Sequence, residues 1–277
     1  SCQWSRFVSN EALLQEVDAL LSLLNAGRPV ALGAIPWASP VVSFGNPAVS
    51  KIATLGLNPS NLEFVDRVGK QLQAPYNRFE SLGSLHVKGW HEVAHQGVQR
   101  IWEACEEYFF RNPYDQWFKR LDRVLVETGA SYYNRIGDSA CHLDLVPFAT
   151  ANKWSTLSPD QRTRLIELGA PSLARTLSAS DIRVLVLNGA TVVREFSRLV
   201  ATDSLLPRND PSWTLQEGRV QGVAYAGRVS EVGGIPLRRE ILVLGFNHNI
   251  QSSFGVTTQA VANIANWIGR QSAGVLA

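Results

Sequence analysis

Apolar residues recur at helical spacing between Asn10 and Ala26: Leu13, Leu14, Val17, Leu20, Leu21 and Leu24. That stripe predicts an amphipathic helix with Asn10 as its N-cap. A Pro- and Gly-rich stretch, 27–47, predicts loop. The short apolar run 52–57 predicts a strand and 61–70 a helix, with loop over 71–90. Helical patterning resumes at about Trp90, runs to Phe110, breaks at Asn112-Pro113 and continues over 114–127. Residues 139–147 predict a strand ending at Pro147. Ser158-Pro159-Asp160 reads as an N-cap with proline in the first turn, opening a helix over 159–176. The run 182–187 predicts a strand ending at Asn188-Gly189, followed by a helix over 190–200. Residues 205–217 predict loop, 219–226 a strand, 239–246 a buried strand and 255–270 the last helix.

Strands and helices thus alternate, and at least three strands are unbroken apolar runs. Such strands are buried on both faces, as in a parallel sheet. The expected fold is a three-layer α/β/α domain around a mostly parallel sheet of four to five strands. No repeat or linker divides the chain. Residues 1–277 are expected to form one domain, with 1–50 as a helical extension packed on it.

Composition narrows the setting more than the chemistry. The chain has 277 residues, 45% hydrophobic and 18% charged, with a net charge of +2. Such a near-neutral total permits a local basic patch without showing one. Three dispersed cysteines, Cys2, Cys105 and Cys141, exclude a four-thiolate cluster and do not suggest a disulfide framework. A reducing, cytoplasmic setting is expected. No apolar run approaches ~18 residues, so no membrane span is expected. The N-terminus lacks a signal pattern.

Three strand ends carry the candidate chemistry. The first is Gly56-Leu57-Asn58-Pro59-Ser60, a turn at the carboxyl end of a buried strand, where open α/β sheets bind ligands. The second is Cys141-His142-Leu143-Asp144, with His142 and Asp144 on one side of a strand. The third is the polar loop Asn247-His248-Asn249-Ile250-Gln251-Ser252-Ser253. Each has a plainer reading. Asn58-Pro59 ends a strand, His142 with Asp144 forms a satisfied core pair, and the last loop caps a helix.

Taken in order, these segments resemble the uracil-DNA glycosylase superfamily, and most closely its mismatch-specific and single-strand-selective branches. The first motif, Leu55-Gly56-Leu57-Asn58-Pro59-Ser60, carries the likeness. The resemblance spans about 52–270 and implies hydrolysis of the N-glycosidic bond of a flipped nucleotide in DNA. It implies that Asn58 holds a water beneath the anomeric carbon and that His248 stabilises the leaving base. Ile250 and Gln251 would enter the duplex, while Ser60, Asn247, Ser252 and Ser253 contact the DNA. Phe79 or Phe64 would stack on the base, with His142 and Asp144 at its edge. The late loop departs from the family's His-Pro-Ser order. The middle strand departs as well, because Asp144 stands where many relatives have Asn. An ionised carboxylate only accepts hydrogen bonds. It suits an exocyclic amino group and repels the O4 of uracil. The expectation is a monomeric enzyme without cofactor or metal that removes a modified cytosine, as in defence against foreign DNA.

Two rivals stand beside this reading. His91-Glu92-Val93-Ala94-His95 matches the H-E-x-x-H pattern of zinc metallopeptidases on an expected helix. The same fold could also bind nucleic acid without chemistry.

Overall fold

The computed structural model describes residues 2–251 and 255–277, with all side chains of these except those of residues 2 and 4–9. In chain order the elements are α1 (Cys2–Asn25), α2 (Arg28–Ala31), β1 (Ile52–Gly56), α3 (His95–Glu106), α4 (Asp115–Asp122), β2 (Ala140–Asp144), α5 (Pro159–Ala179), β3 (Val184–Asn188), α6 (Ala190–Ser197), β4 (Leu206–Leu215), β5 (Val220–Val232), β6 (Ile235–Phe246) and α7 (Thr258–Leu276). Short 3-10 turns join several of them.

The apolar runs become the middle of one six-stranded sheet in the order β2-β1-β3-β6-β5-β4. β2, β1, β3 and β6 are mutually parallel, whereas β5 and β4 add an antiparallel ribbon. Helices flank the sheet in a three-layer α/β/α arrangement. Every residue of β3 is buried, as its unbroken apolar sequence requires. Each buried Val or Leu there contributes roughly 1.5–3 kcal/mol. The four parallel strands end together, so the residues after Gly56, Asp144, Asn188 and Phe246 share one lip of the sheet.

The N-terminal stretch is pinned to that sheet. Glu16, 4% exposed, takes a bidentate pair from Arg175 of α5 at 2.7 and 2.9 Å. Residues 34–44 then run beside β2: Ile35 N–H donates to the Ala149 carbonyl, and Val41 N–H to that of Pro147. Phe44 and His142 exchange two backbone hydrogen bonds at 2.9 Å. The outer edge of β2 is thereby covered rather than left as a template for another chain.

Several elements differ from expectation. The sheet has six strands because 205–217, expected as loop, supplies β4. Its exposed Arg208 and Asn209, half-buried Asp210 and two prolines hide the strand pattern, and prolines are tolerated because β4 is an edge. The helix expected over 61–70 is only a 3-10 turn, Asn61–Glu63. The Asp66 carboxylate accepts from Val68 and Lys70 N–H and closes a loop in its place. The long helix expected from Trp90 is interrupted, with Val93 and Ala94 extended before α3 begins. α1 starts well before Asn10, so Asn10 lies inside the helix rather than capping it. The expected cap at Ser158 is present, as a full capping box with Gln161.

α5 touches the chain just beyond β2 closely enough to need a glycine. A Cβ on Gly169 would stand 2.2 Å from the Leu145 carbonyl oxygen. Gly169→Ala should cost about 1–3 kcal/mol through this overpacking. Gly274→Ala, in the exposed last turns of α7 with nothing near its Cβ, should instead gain roughly 0.5–1 kcal/mol. Urea unfolding midpoints of the two variants should move in opposite directions.

Candidate functional site

The hydrogen-bond ladder between β1 and β2 runs on past both strands. Leu145 N–H donates to the Gly56 carbonyl at 3.0 Å and Val146 N–H to that of Leu57 at 2.9 Å. This carries Asn58 to the segment after β2. Its Nδ2 donates to the Phe148 carbonyl and to Thr150 Oγ1, both at 3.2 Å. A carbonyl can only accept, so the amide nitrogen must face Phe148. Asn58 Oδ1 then faces away, without a protein partner among the described residues. On a half-buried side chain, that oxygen can orient a water molecule.

Next to it lies a buried chain of polar groups. Tyr132 Oη and Thr54 Oγ1 are 2.5 Å apart, Thr54 Oγ1 and His142 Nδ1 2.7 Å, and His142 Nε2 and Asp144 Oδ1 3.0 Å. A single directed arrangement satisfies all three contacts. Tyr132 donates to Thr54, Thr54 to His142 Nδ1, and His142 Nε2–H to Asp144. The histidine and aspartate side chains are each 4% exposed. Gly56 makes room for them, since a Cβ there would stand 2.7 Å from Asp144 Oδ1 and 3.0 Å from His142 Nε2. Asp144 Oδ2 is buried with no partner among the described residues. A buried carboxylate oxygen with nothing bound is costly and therefore calls for a ligand or an ordered water.

A second carboxyl, not anticipated from the sequence, lies close by. Glu63 is 2% exposed and both of its oxygens are 2.8 Å from Tyr108 Oη. Arg78 Nε is 3.8 Å from it. Burial raises its pKa to about 7; Tyr108 and Arg78 oppose the rise, and the charge of Asp144 adds to it. Glu63 follows the Asn58 turn by five residues, inside a segment read as an ordinary helix, so only burial reveals it.

Aromatic rings wall these groups. Phe79 stacks on Tyr108 with centroids 5.2 Å apart and meets Phe64 at 5.6 Å. Both phenylalanines are 3% exposed. The two rings expected as alternatives for stacking on a base are therefore engaged with each other. Arg78 donates to the carbonyls of Asn112 and Leu62. Ser60 caps the turn after Pro59 by accepting from Leu62 N–H at 3.1 Å.

The late loop is held otherwise than expected. Asn247 spends its amide on β5, accepting from Val223 N–H and donating to the Gln221 carbonyl, both at 2.8 Å. His248 is 5% exposed and its Nε2 donates to the Trp213 carbonyl at 2.6 Å. It leaves β6 about two strand spacings, ~10 Å, from β1. It shares no hydrogen bond with Asn58 or Asp144, nor do those two with each other. Ile250 is 1% exposed, with its N–H on Asn188 Oδ1 at 3.1 Å. A side chain so packed is not presented as a wedge. Gln251, half-buried, accepts from Asn188 Nδ2 at 3.0 Å. Asn188, read before only as a strand end, is thus the residue that shapes this loop. Ser252 and Ser253 lie outside the described residues.

Two further features bear on the alternatives. His91 sits in the turn Trp90–Glu92 while His95 opens α3, so the pair does not share one helical face. Glu92 accepts from Lys88 N–H at 2.7 Å. Among the described residues, no group of three or more His, Cys, Asp and Glu is placed to hold a metal ion. No helix among them is long and apolar enough to cross a membrane.

A cavity of about 10 Å³ touches Asp144, Val42, Ser172 and Thr176, the space of about one water. It lies between the end of β2 and α5, and Asn58, Glu63, Phe64 and Phe79 do not line it. The cavity of about 370 Å³ beside Asp122, Gly129 and Asn134 lies at the opposite end of β2 and adjoins none of these groups. No protein-family model matches the chain, and no curated protein matches it significantly.

Glu63 makes stability depend on pH. The folded state holds its proton up to about pH 7, whereas the unfolded chain releases it near 4.5. Between those values the folded state binds more protons, so stability falls as pH rises, by up to ~3 kcal/mol. Glu63→Gln should flatten this part of the profile, measured by chemical unfolding from pH 4.5 to 7.5.

Proposed function

We propose that the chain is a monofunctional DNA glycosylase, acting as a cytoplasmic monomer on a flipped base with an exocyclic amino group, a modified cytosine being the foremost substrate. The observation that carries this reading is the unpartnered Asp144 Oδ2, buried at the lip of a parallel sheet beside the Asn58 turn. A carboxylate, here held at Oδ1 by His142, is an acceptor and nothing else. An amino group satisfies it, and a carbonyl does not.

The water-positioning group would be Asn58. With Nδ2 bound by Phe148 and Thr150, Oδ1 accepts from a water and aims its lone pair at the anomeric carbon. A carboxamide does not take up the proton, so its contribution is orientation. The water adds to C1′ as the bond to the base breaks, and the bonding electrons leave with the base. His248, bound to Trp213, takes part only if the late loop rearranges on DNA.

The mutual packing of Phe64, Phe79 and Tyr108 and the burial of Ile250 favour a second reading, a nucleic-acid-binding module of this fold without chemistry. One experiment separates the two. The protein is incubated with DNAs bearing single modified cytosines or uracil, and strand cleavage by alkali reports abasic sites. Release of a cytosine-type base, lowered about a hundredfold or more by Asn58→Ala with DNA affinity nearly unchanged, supports the enzyme. Binding without release from any substrate supports the module. Efficient uracil release with none from cytosines would remove the assigned role of Asp144.

Gly56→Ala should be equally damaging by another route. Its methyl displaces both Asp144 and His142, so base release should fall by a hundredfold or more while unfolding free energy drops by about 1–3 kcal/mol.

A further inference from the structure

We propose that Glu63 is a second base-reading group of this site, donating a hydrogen bond to the ring nitrogen beside the amino group that Asp144 accepts. The inference rests on the glycosylase reading but is tested apart from it.

Two hydrogen-bonded sets face the same aromatic rings. The Phe44 centroid is 4.9 Å from that of Tyr108 and 5.4 Å from that of His142. Phe118 is 5.4 Å from Tyr108 and 5.3 Å from His142. Tyr108 holds Glu63, and His142 holds Asp144. The charged and titratable groups around Glu63 are Tyr108, Arg78 and Asp144. Asp144 supplies the unsatisfied, almost fully buried oxygen that marks the place as a ligand site.

The two carboxyls offer opposite hydrogen-bonding groups. Burial lifts Glu63 to about 7, and the Asp144 charge pushes it in the same direction. Below about pH 7 Glu63 therefore mostly keeps a proton to donate, while Asp144, held by His142 at one oxygen, has the other free to accept. A donor beside an acceptor matches an edge that carries a ring-nitrogen acceptor next to an amino group. Cytosine presents N3 beside N4–H₂, and adenine N1 beside N6–H₂. Uracil and thymine present the reverse, N3–H beside O4. A site built around polar groups rejects the edge that leaves them unpaired.

The same proton serves the hydrolysis of a cytosine-type base. As C1′–N1 breaks, its electron pair passes to N1 and is shared with O2 and N3. Glu63 gives its proton to N3, so the base leaves neutral. The water oxygen bonds to C1′, and the proton it sheds passes to solvent, from which Glu63 regains one. No oxidant or other co-reactant is needed.

Binding tests this without requiring catalysis. Labelled single-stranded oligonucleotides carry one 2′-fluoro nucleotide, which resists cleavage, with cytosine, adenine or uracil as its base. Affinities are measured from pH 6 to 8.5. At pH 6 the cytosine and adenine probes should bind at least tenfold more tightly than uracil. That advantage should shrink by up to tenfold per pH unit above about 7. Glu63→Gln keeps a donor at every pH, so it should retain the preference and lose its pH dependence, whereas Glu63→Leu should keep only the smaller, pH-independent preference that Asp144 supplies. A wild-type preference that is absent, or flat over this range, overturns the proposal, as does a Gln variant with the wild-type profile. Failure to release bases from ordinary DNA, with the pH-dependent preference intact, removes the glycosylase and keeps the paired readers.

Discussion

A buried carboxylate is the constraint around which this lip of the sheet is arranged. Asp144 sits 4% exposed at the end of β2, where an isolated charge would cost several kcal/mol. Three neighbours offset that cost by a single directed chain, Tyr132 to Thr54 to His142 to Asp144. The chain uses one carboxylate oxygen and leaves the other. Gly56 is part of the same solution, because any side chain on that face of β1 would occupy the space the pair needs. Strand register, glycine, histidine and aspartate are therefore one device rather than four features.

Glu63 shows the opposite response to burial. It has no histidine beside it, only a phenol and a guanidinium 3.8 Å away. The cheaper outcome is to keep its proton to about pH 7. Two carboxyls near one aromatic cluster thus meet burial with different hydrogen-bond partners. Such divergence is a common mark of sites that handle protons or hydrogen-bonding ligands.

The close packing around these groups has a physical cause too. Phe64, Phe79 and Tyr108 satisfy their apolar surfaces on each other, and the late loop rests on Asn188 and Trp213. These contacts are local, and each is worth roughly 0.5–1.5 kcal/mol. On the proposed reading, a base that stacks on the rings and donates to Asp144 Oδ2 would replace them and leave the strand pairing intact.

The α/β class, the parallel central strands, the Ser158 cap and the lip positions of Asn58 and Asp144 were legible in sequence, because unbroken apolar runs and turn residues act locally. The sixth strand was not, since β4 is polar and exposed and exists by pairing with β5. Nor was the break before His95, where extended Val93 and Ala94 separate two histidines that spacing alone would align. The inward turn of Ile250 and His248 depends on Asn188 and Trp213, more than thirty residues away. Glu63 looked like one more polar position on a helix. Residue order determined which groups stand at the strand ends. Only the packed structure decided which are buried, which oxygen lacks a partner and which carboxyl keeps its proton, because solvation and pairing are set by neighbours distant in the chain.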